Sequence, residues 1–153
     1  MKQSVCMKEF EEIINDITEN ETVQEMKKYK HHGNTNTFSH CYNVSYNCYK
    51  ICKKLNLDYI SVARAGMLHD FFLYDWKEKD KSHRFHGFIH GKIACENACK
   101  IFDLNEKEKD MITKHMWPLT IKPPKSREGI ILASVDKHCA IKETLRYIFR
   151  KRK

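Results

Sequence analysis

The stretch from Asp58 to Asp70, DYISVARAGMLHD, constrains this chain more than any other. Ile60, Val62, Ala63, Ala65, Met67 and Leu68 leave almost no polar face, so a helix here must be central and covered on nearly every side. Asp58 is suited to cap its start. Two polar residues, His69 and Asp70, close its end, and buried polar groups need partners. Neighbouring residues on a helix point about 100° apart. His69 and Asp70 therefore converge only if they stand at the helix end or straddle two ions. A bridging carboxylate beside an imidazole suits a metal pair about 3.5–4 Å apart.

Helical periodicity runs through the rest of the chain. Phe10, Ile13, Ile14 and Ile17 mark one amphipathic helix, and a second runs from Glu21 through Val23 and Met26 to a stop at Gly33. Residues 34–56 form a long helix with Val44, Cys48, Ile51, Cys52 and Leu55 as its stripe and His40 on the same face. The aromatic, then charged segment FFLYDWKEKDKSH leaves the core. A helix over 87–103 carries Ile93, Ala94, Ala98 and Ile101, with His90 on its first turn. Asn105 and Glu108 make a capping box for a helix bearing Met111, Ile112 and His115. Ser126 caps a last helix with Ile130, Ile131, Val135 and Ile141, and Asp136 interrupts its apolar face. No segment alternates like a strand. The expected fold is all-α, a single domain over 1–153 of about six helices, with its motif-bearing part at 30–145.

His40, His69, Asp70, His90, His115 and Asp136 are thus scattered over separate helices, and matter as a set only if the fold gathers them. Two buried carboxylates and several imidazoles explain one another when a divalent ion sits among them. Such nitrogen and oxygen donors suit Mn, Fe, Co, Ni or Zn and disfavour Ca. His83, His86 and His90 form a local alternative at i, i+3, i+7, with His83 and His86 read as residues at the mouth of a site. His31 and His32 end a helix, where its dipole favours cations, and His32 is the one read as a neighbour of the His40 helix. His138 is expected on the surface.

The chain has 153 residues and a formal net charge of +8. That length gives one domain with a core of its own, and that charge favours anionic partners. The tail RYIFRKRK, 146–153, reads as frayed and solvated, so nucleic acid is disfavoured. Seven cysteines, an odd number without a C-x-x-C, read as reduced thiols. With no signal peptide and no run of ~20 apolar residues, the chain is expected to be cytoplasmic, with no membrane partner.

Taken together, His40, the LHD of residues 68–70, His90, His115 and Asp136 resemble the HD-domain superfamily of metal-dependent phosphohydrolases. Longer stretches, HGNTNTFSHCYNVS, GMLHDFFLYDW, KHMWPL and SVDKHCA, are similar to those of small stand-alone bacterial HD proteins. The resemblance implies one metal held by His40, His69, Asp70 and Asp136, and a second by Asp70, His90 and His115. It implies hydrolysis of a small phosphorylated substrate, a nucleotide or a related phosphate ester, by metal-activated water. Asp70 and His69, with Lys137 beside Asp136, make the expected catalytic set. His86, Lys92, Lys114 and Trp117 are the expected substrate contacts, and Trp76 and Tyr74 could stack on a base. The Gly-Tyr-Pro extension of cyclic-di-GMP phosphodiesterases is absent, and Met116 stands where some two-metal members double the histidine. A di-iron oxygenase and a non-catalytic metal-bound binding module are the alternatives.

Overall fold

The computed structural model describes residues 2–73 and 86–152, for 2, 3 and 86 the backbone only. Among the described residues seven α-helices follow one another: α1 Lys2–Thr18, α2 Glu21–Gln24, α3 Thr37–Lys54, α4 Tyr59–Leu68, α5 His86–Cys99, α6 Glu106–Lys114 and α7 Arg127–Lys151. A single 3-10 turn, Glu25–Lys28, follows α2. The expected all-α architecture is the one found. The described residues contain no strand, only an isolated bridge between Lys30 and Asn36. None of the described helices is long and apolar enough to cross a membrane.

As the run of apolar residues requires, α4 is the hub: it packs on α1, α3, α5, α6 and α7, most extensively on α3. Val62, Ala63, Ala65, Met67 and Leu68 are fully buried. The α3–α4 contact is close because both helices turn small residues to it. Ser45 Oγ donates to Ala63 O at 2.6 Å, and a Cβ on Gly66 would lie 2.8 Å from Ser45 Cα. Gly66→Ala is therefore expected to force α3 and α4 apart and cost about 1–3 kcal/mol, read as a fall in the urea midpoint. An unchanged midpoint would mean the two helices are not packed this closely.

The helix starts follow the caps. Asn36 Oδ1 accepts from Ser39 N–H at 2.8 Å, Asp58 Oδ1 from Ser61 N–H at 3.0 Å, and Ser126 Oγ from Gly129 N–H at 3.1 Å. Asn105 and Glu108 form the full capping box. Glu128 then ties two starts together, accepting from Asp58 N–H at 2.9 Å and from Lys107 Nζ at 3.0 Å. This contact sets α7 against α4, and so Asp136 against His69. Asn97 Nδ2 donates to Phe71 O at 3.1 Å and sets α5 against the segment after Asp70.

Several expectations about helix faces are corrected. Ile51, Leu55, Ile60, Ile101, Ile130 and Ile141 are exposed. On α3 the buried face is Cys41, Val44, Ser45, Cys48, Tyr49 and Cys52, because small residues such as Ser45 let α4 approach closely, while Ile51 is turned out. The run after Glu21 gives one α-turn and one 3-10 turn rather than a helix to Gly33, and α3 opens at Thr37, not Asn34. The basic tail is not frayed: α7 continues to Lys151, with Tyr147 close against Gly33.

Candidate metal centre

The six scattered residues meet on one side of α4. The helix ends at Leu68, so His69 and Asp70 leave it together, as their adjacency demanded. His40 stands on the first turn of α3, His90 at the start of the second turn of α5, His115 just past the end of α6, and Asp136 in mid-α7. All six are buried.

Their donor atoms form two groups that share Asp70. One atom each from His40, His69, Asp70 and Asp136 lie within 4.8 Å of one another, and so do one each from Asp70, His90 and His115. Asp136 Oδ1 is 2.9 Å from His40 Nε2 and 3.3 Å from His69 Nε2. Asp70 Oδ2 lies 3.5 Å from His69 Nε2 and 4.0 Å from His40 Nε2. Asp70 Oδ1 lies 3.2 Å from His90 Nε2 and 3.4 Å from His115 Nε2, and those two nitrogens are 2.8 Å apart. Each carboxylate oxygen therefore faces its own group.

Helix ends orient two of the imidazoles. The last carbonyls of a helix lack an intrahelical partner. His69 Nδ1–H donates to Gly66 O at 2.7 Å, and His115 Nδ1–H to Ile112 O at 2.7 Å. Both rings thereby turn Nε2 inward, the face a ligand needs.

The electrostatics separate the groups. Burial alone would lower His40, but hydrogen bonds to Asp136 and Glu143 raise it to about 10. Burial likewise opposes charging of His69, yet the Asp70 charge leads the contacts that lift it well above the imidazole range. Burial would raise Asp70 and Asp136. For Asp70, the His69 charge and the close imidazoles of His115, His31 and His90 push it well below the carboxylate range; for Asp136, bonds from His40 and His69 do so. His115 goes the other way: burial outweighs Asp70 and keeps it low.

A family model described as the HD domain matches residues 37–141, more than half of the chain. The chain belongs to the HD-domain family. No curated protein and no solved structure matches it.

This HD domain fits a divalent ion on its own geometry. Asp70 Oδ1 is buried and makes no hydrogen bond of acceptable form, although two imidazole nitrogens face it. An unsatisfied buried carboxylate oxygen is expensive, and the surrounding donors are the nitrogen and oxygen set that divalent transition metals take. His40, His69, Asp70 and Asp136 would hold one ion, and Asp70, His90 and His115 a second. A cavity of about 250 Å³ adjoins them, lined by His31, His32, Asp70, Gly87, His90, Met116 and Asp136.

The expected substrate contacts are arranged differently. Lys137 Nζ donates to His115 O and Ala133 O, both at 3.0 Å, and burial lowers its pKa despite Asp136 and Asp70. Lys114 pairs with Asp110. Lys92 is exposed and 3.8 Å from Glu96. Lys92 and Lys114 line a separate groove with Phe88 and Ile121. Trp117 is half-buried, and it is its neighbour Met116 that lines the cavity. The side chain of His86 lies outside the described residues, as do Tyr74, Trp76 and His83. His138 is exposed.

Two residues escaped the sequence reading. His31, expected to serve only a helix end, is buried, stacks on His40 with ring centroids 4.1 Å apart, and puts Nε2 2.6 Å from Asp70 Oδ2. Gly33 makes the turn that allows this, at φ +63°, with no room for a Cβ against Tyr147. His32, the expected neighbour, is only half-buried, and burial and the charges of His31 and His40 lower its pKa to about 4. Glu143 lies 2.9 Å from His40 Nδ1. Its signal was available: it stands seven residues after Asp136, on the same face of α7.

Proposed function

We propose that this HD domain is a two-metal phosphohydrolase acting on a small phosphate ester, a nucleotide or a related monoester or diester. The observation that carries the reading is Asp70, whose two oxygens face two separate imidazole groups. When bound, a divalent pair polarises a phosphoryl group and makes water a competent nucleophile near neutral pH. The chain's own part is to fix geometry. Asp70 and His69 hold the centre from the end of the most buried helix. His31 and His32 wall the adjoining cavity, whose size suits a phosphoryl group with a modest substituent. Lys137 steadies His115 through its carbonyl beside Asp136. The net charge of +8 favours an anionic substrate by long-range attraction.

The test is metal analysis of protein purified without added metal, then a panel of phosphomonoesters and phosphodiesters. Two ions per chain and hydrolysis of at least one ester are expected. Oxygen consumption by an iron-loaded form that cleaves no ester would replace this reading with an oxygenase. Bound ions with neither activity would leave a binding module. His90→Ala is expected to lower the stoichiometry from two ions to one. A variant that keeps two would end the dinuclear assignment.

A further inference from the structure

We propose that Glu143 is a positioning residue of the metal centre, setting the tautomer of His40 so that Nε2 faces the ion. The proposal rests on the reading of the site as a metal centre and adds a residue to it. The reason lies in where His40 stands. His69 and His115 follow helix ends, and each uses a free carbonyl three residues back to hold Nδ1–H. His40 is on the first turn of α3, where the carbonyl three residues back belongs to Thr37 and is committed to the helix's own ladder. It cannot borrow a backbone acceptor and needs a side chain.

Glu143 meets that need from the far end of the chain. Its Oε2 accepts from His40 Nδ1 at 2.9 Å, while His40 Nε2 points at Asp136 Oδ1, also at 2.9 Å. Both side chains are buried. With Nδ1–H held, the Nε2 lone pair is left for a ligand, and a carboxylate behind a ligating imidazole also raises its basicity. Glu143 gains its bond to His40 but also carries a cost. Its other oxygen, Oε1, is buried with no hydrogen-bond partner, and an unsatisfied buried carboxylate oxygen destabilises a fold.

A rival is a further ion held by Glu143, His40 and His31, whose donor atoms also lie within 4.8 Å of one another. The ring geometry opposes it. An imidazole binds along a lone pair in its own plane. The His31 and His40 rings are stacked, 15° from parallel with centroids 4.1 Å apart, so their lone pairs do not converge on one point.

The roles predict a selective effect, since His40 belongs to only one of the two groups. Titrating chelated protein with Zn²⁺ against a chromophoric chelator, Glu143→Leu should weaken the first site about 10–100-fold and leave the second unchanged. Its melting temperature in chelator should fall, because His40 loses one of its two buried carboxylate partners, so the affinities are compared where both proteins are folded. Glu143→Gln keeps an acceptor oxygen and should recover most of the affinity. Long-range ¹H–¹⁵N correlation on Zn²⁺-loaded wild type should show His40 protonated at Nδ1, whatever the variants do. Ligation through Nδ1, or wild-type affinity at both sites in Glu143→Leu, would overturn the role of Glu143. Equal weakening of both sites would also overturn it, as a general loosening of the fold. Wild type that binds no Zn²⁺ would instead remove the metal-centre reading itself.

Discussion

Asp70→Asn is expected to leave a folded protein that binds neither ion and has lost activity on the order of 10³-fold or more, the scale of removing one preorganised charge contact from a site. Among the described residues no other joins the two groups, because only Asp70 puts one oxygen 3.2 and 3.4 Å from His90 and His115 and the other 3.5 Å from His69. The amide keeps the volume and one acceptor but drops the charge and cannot offer two anionic oxygens. Asp136→Asn is the matched control. It removes a buried carboxylate from the His40–His69 group alone, so the His90–His115 ion should persist. Stoichiometry by mass spectrometry of metal content, with circular dichroism in chelator to check folding, separates the outcomes. Two ions in Asp70→Asn would show that Asp70 does not bridge.

The position of Asp70 is the part of this site most legible in the sequence. A helix apolar on nearly every side must be central, and polar residues closing it must find partners inside the molecule. The end of α4 at Leu68 and the burial of His69 and Asp70 follow from that. The caps at Asp58, Asn105 and Ser126 were readable for a local reason: side-chain oxygens meet backbone N–H groups within three residues. Asp136 was readable because it breaks an apolar face.

What stayed hidden depends on contacts between elements far apart in the chain. Periodicity says that a helix has an apolar face, but the rotation of that face is decided by the neighbour. On α3 the small side chains of Cys41, Ser45 and Cys48 are buried, Ser45 against α4, and Ile51 is turned out. His31 was read from its local place, at a helix end. Its actual role depends on Gly33 reversing the chain against Tyr147, more than a hundred residues away, so that the ring reaches Asp70. Glu143 needed the pairing of α3 with α7, which no local pattern specifies.

Proton release should distinguish the two groups when the ions bind. In the ion-free protein at neutral pH, His40 is held protonated by Asp136 and Glu143, with its pKa raised to about 10, and His69 is raised well above its ordinary range. Two imidazoliums thus balance the charges of Asp70 and Asp136, which stay ionised. Each Nε2 must lose its proton to become a ligand, so an ion entering this group should release close to two protons, a count that belongs to the cluster rather than to either ring. Apparent affinity should then rise about 100-fold per pH unit above neutrality, tenfold for each proton. His115 is already held neutral by burial, so the second group should show a weaker pH dependence. Stability of the ion-free protein carries the same sign. The contribution of His40 and His69 is full below the ordinary imidazole pKa near 6.5 and fades as pH climbs toward 10. His31, His32 and His115, with lowered pKa values, cost stability as pH falls below 6.5. The melting temperature in chelator should therefore peak near pH 6.5, and saturating ion should remove the alkaline decline. Calorimetry in two buffers of different ionisation enthalpy, at pH 7 and pH 8, measures the protons directly. Equal release from both groups, or none from the first, would mean that His40 and His69 are not the charge that a divalent ion replaces.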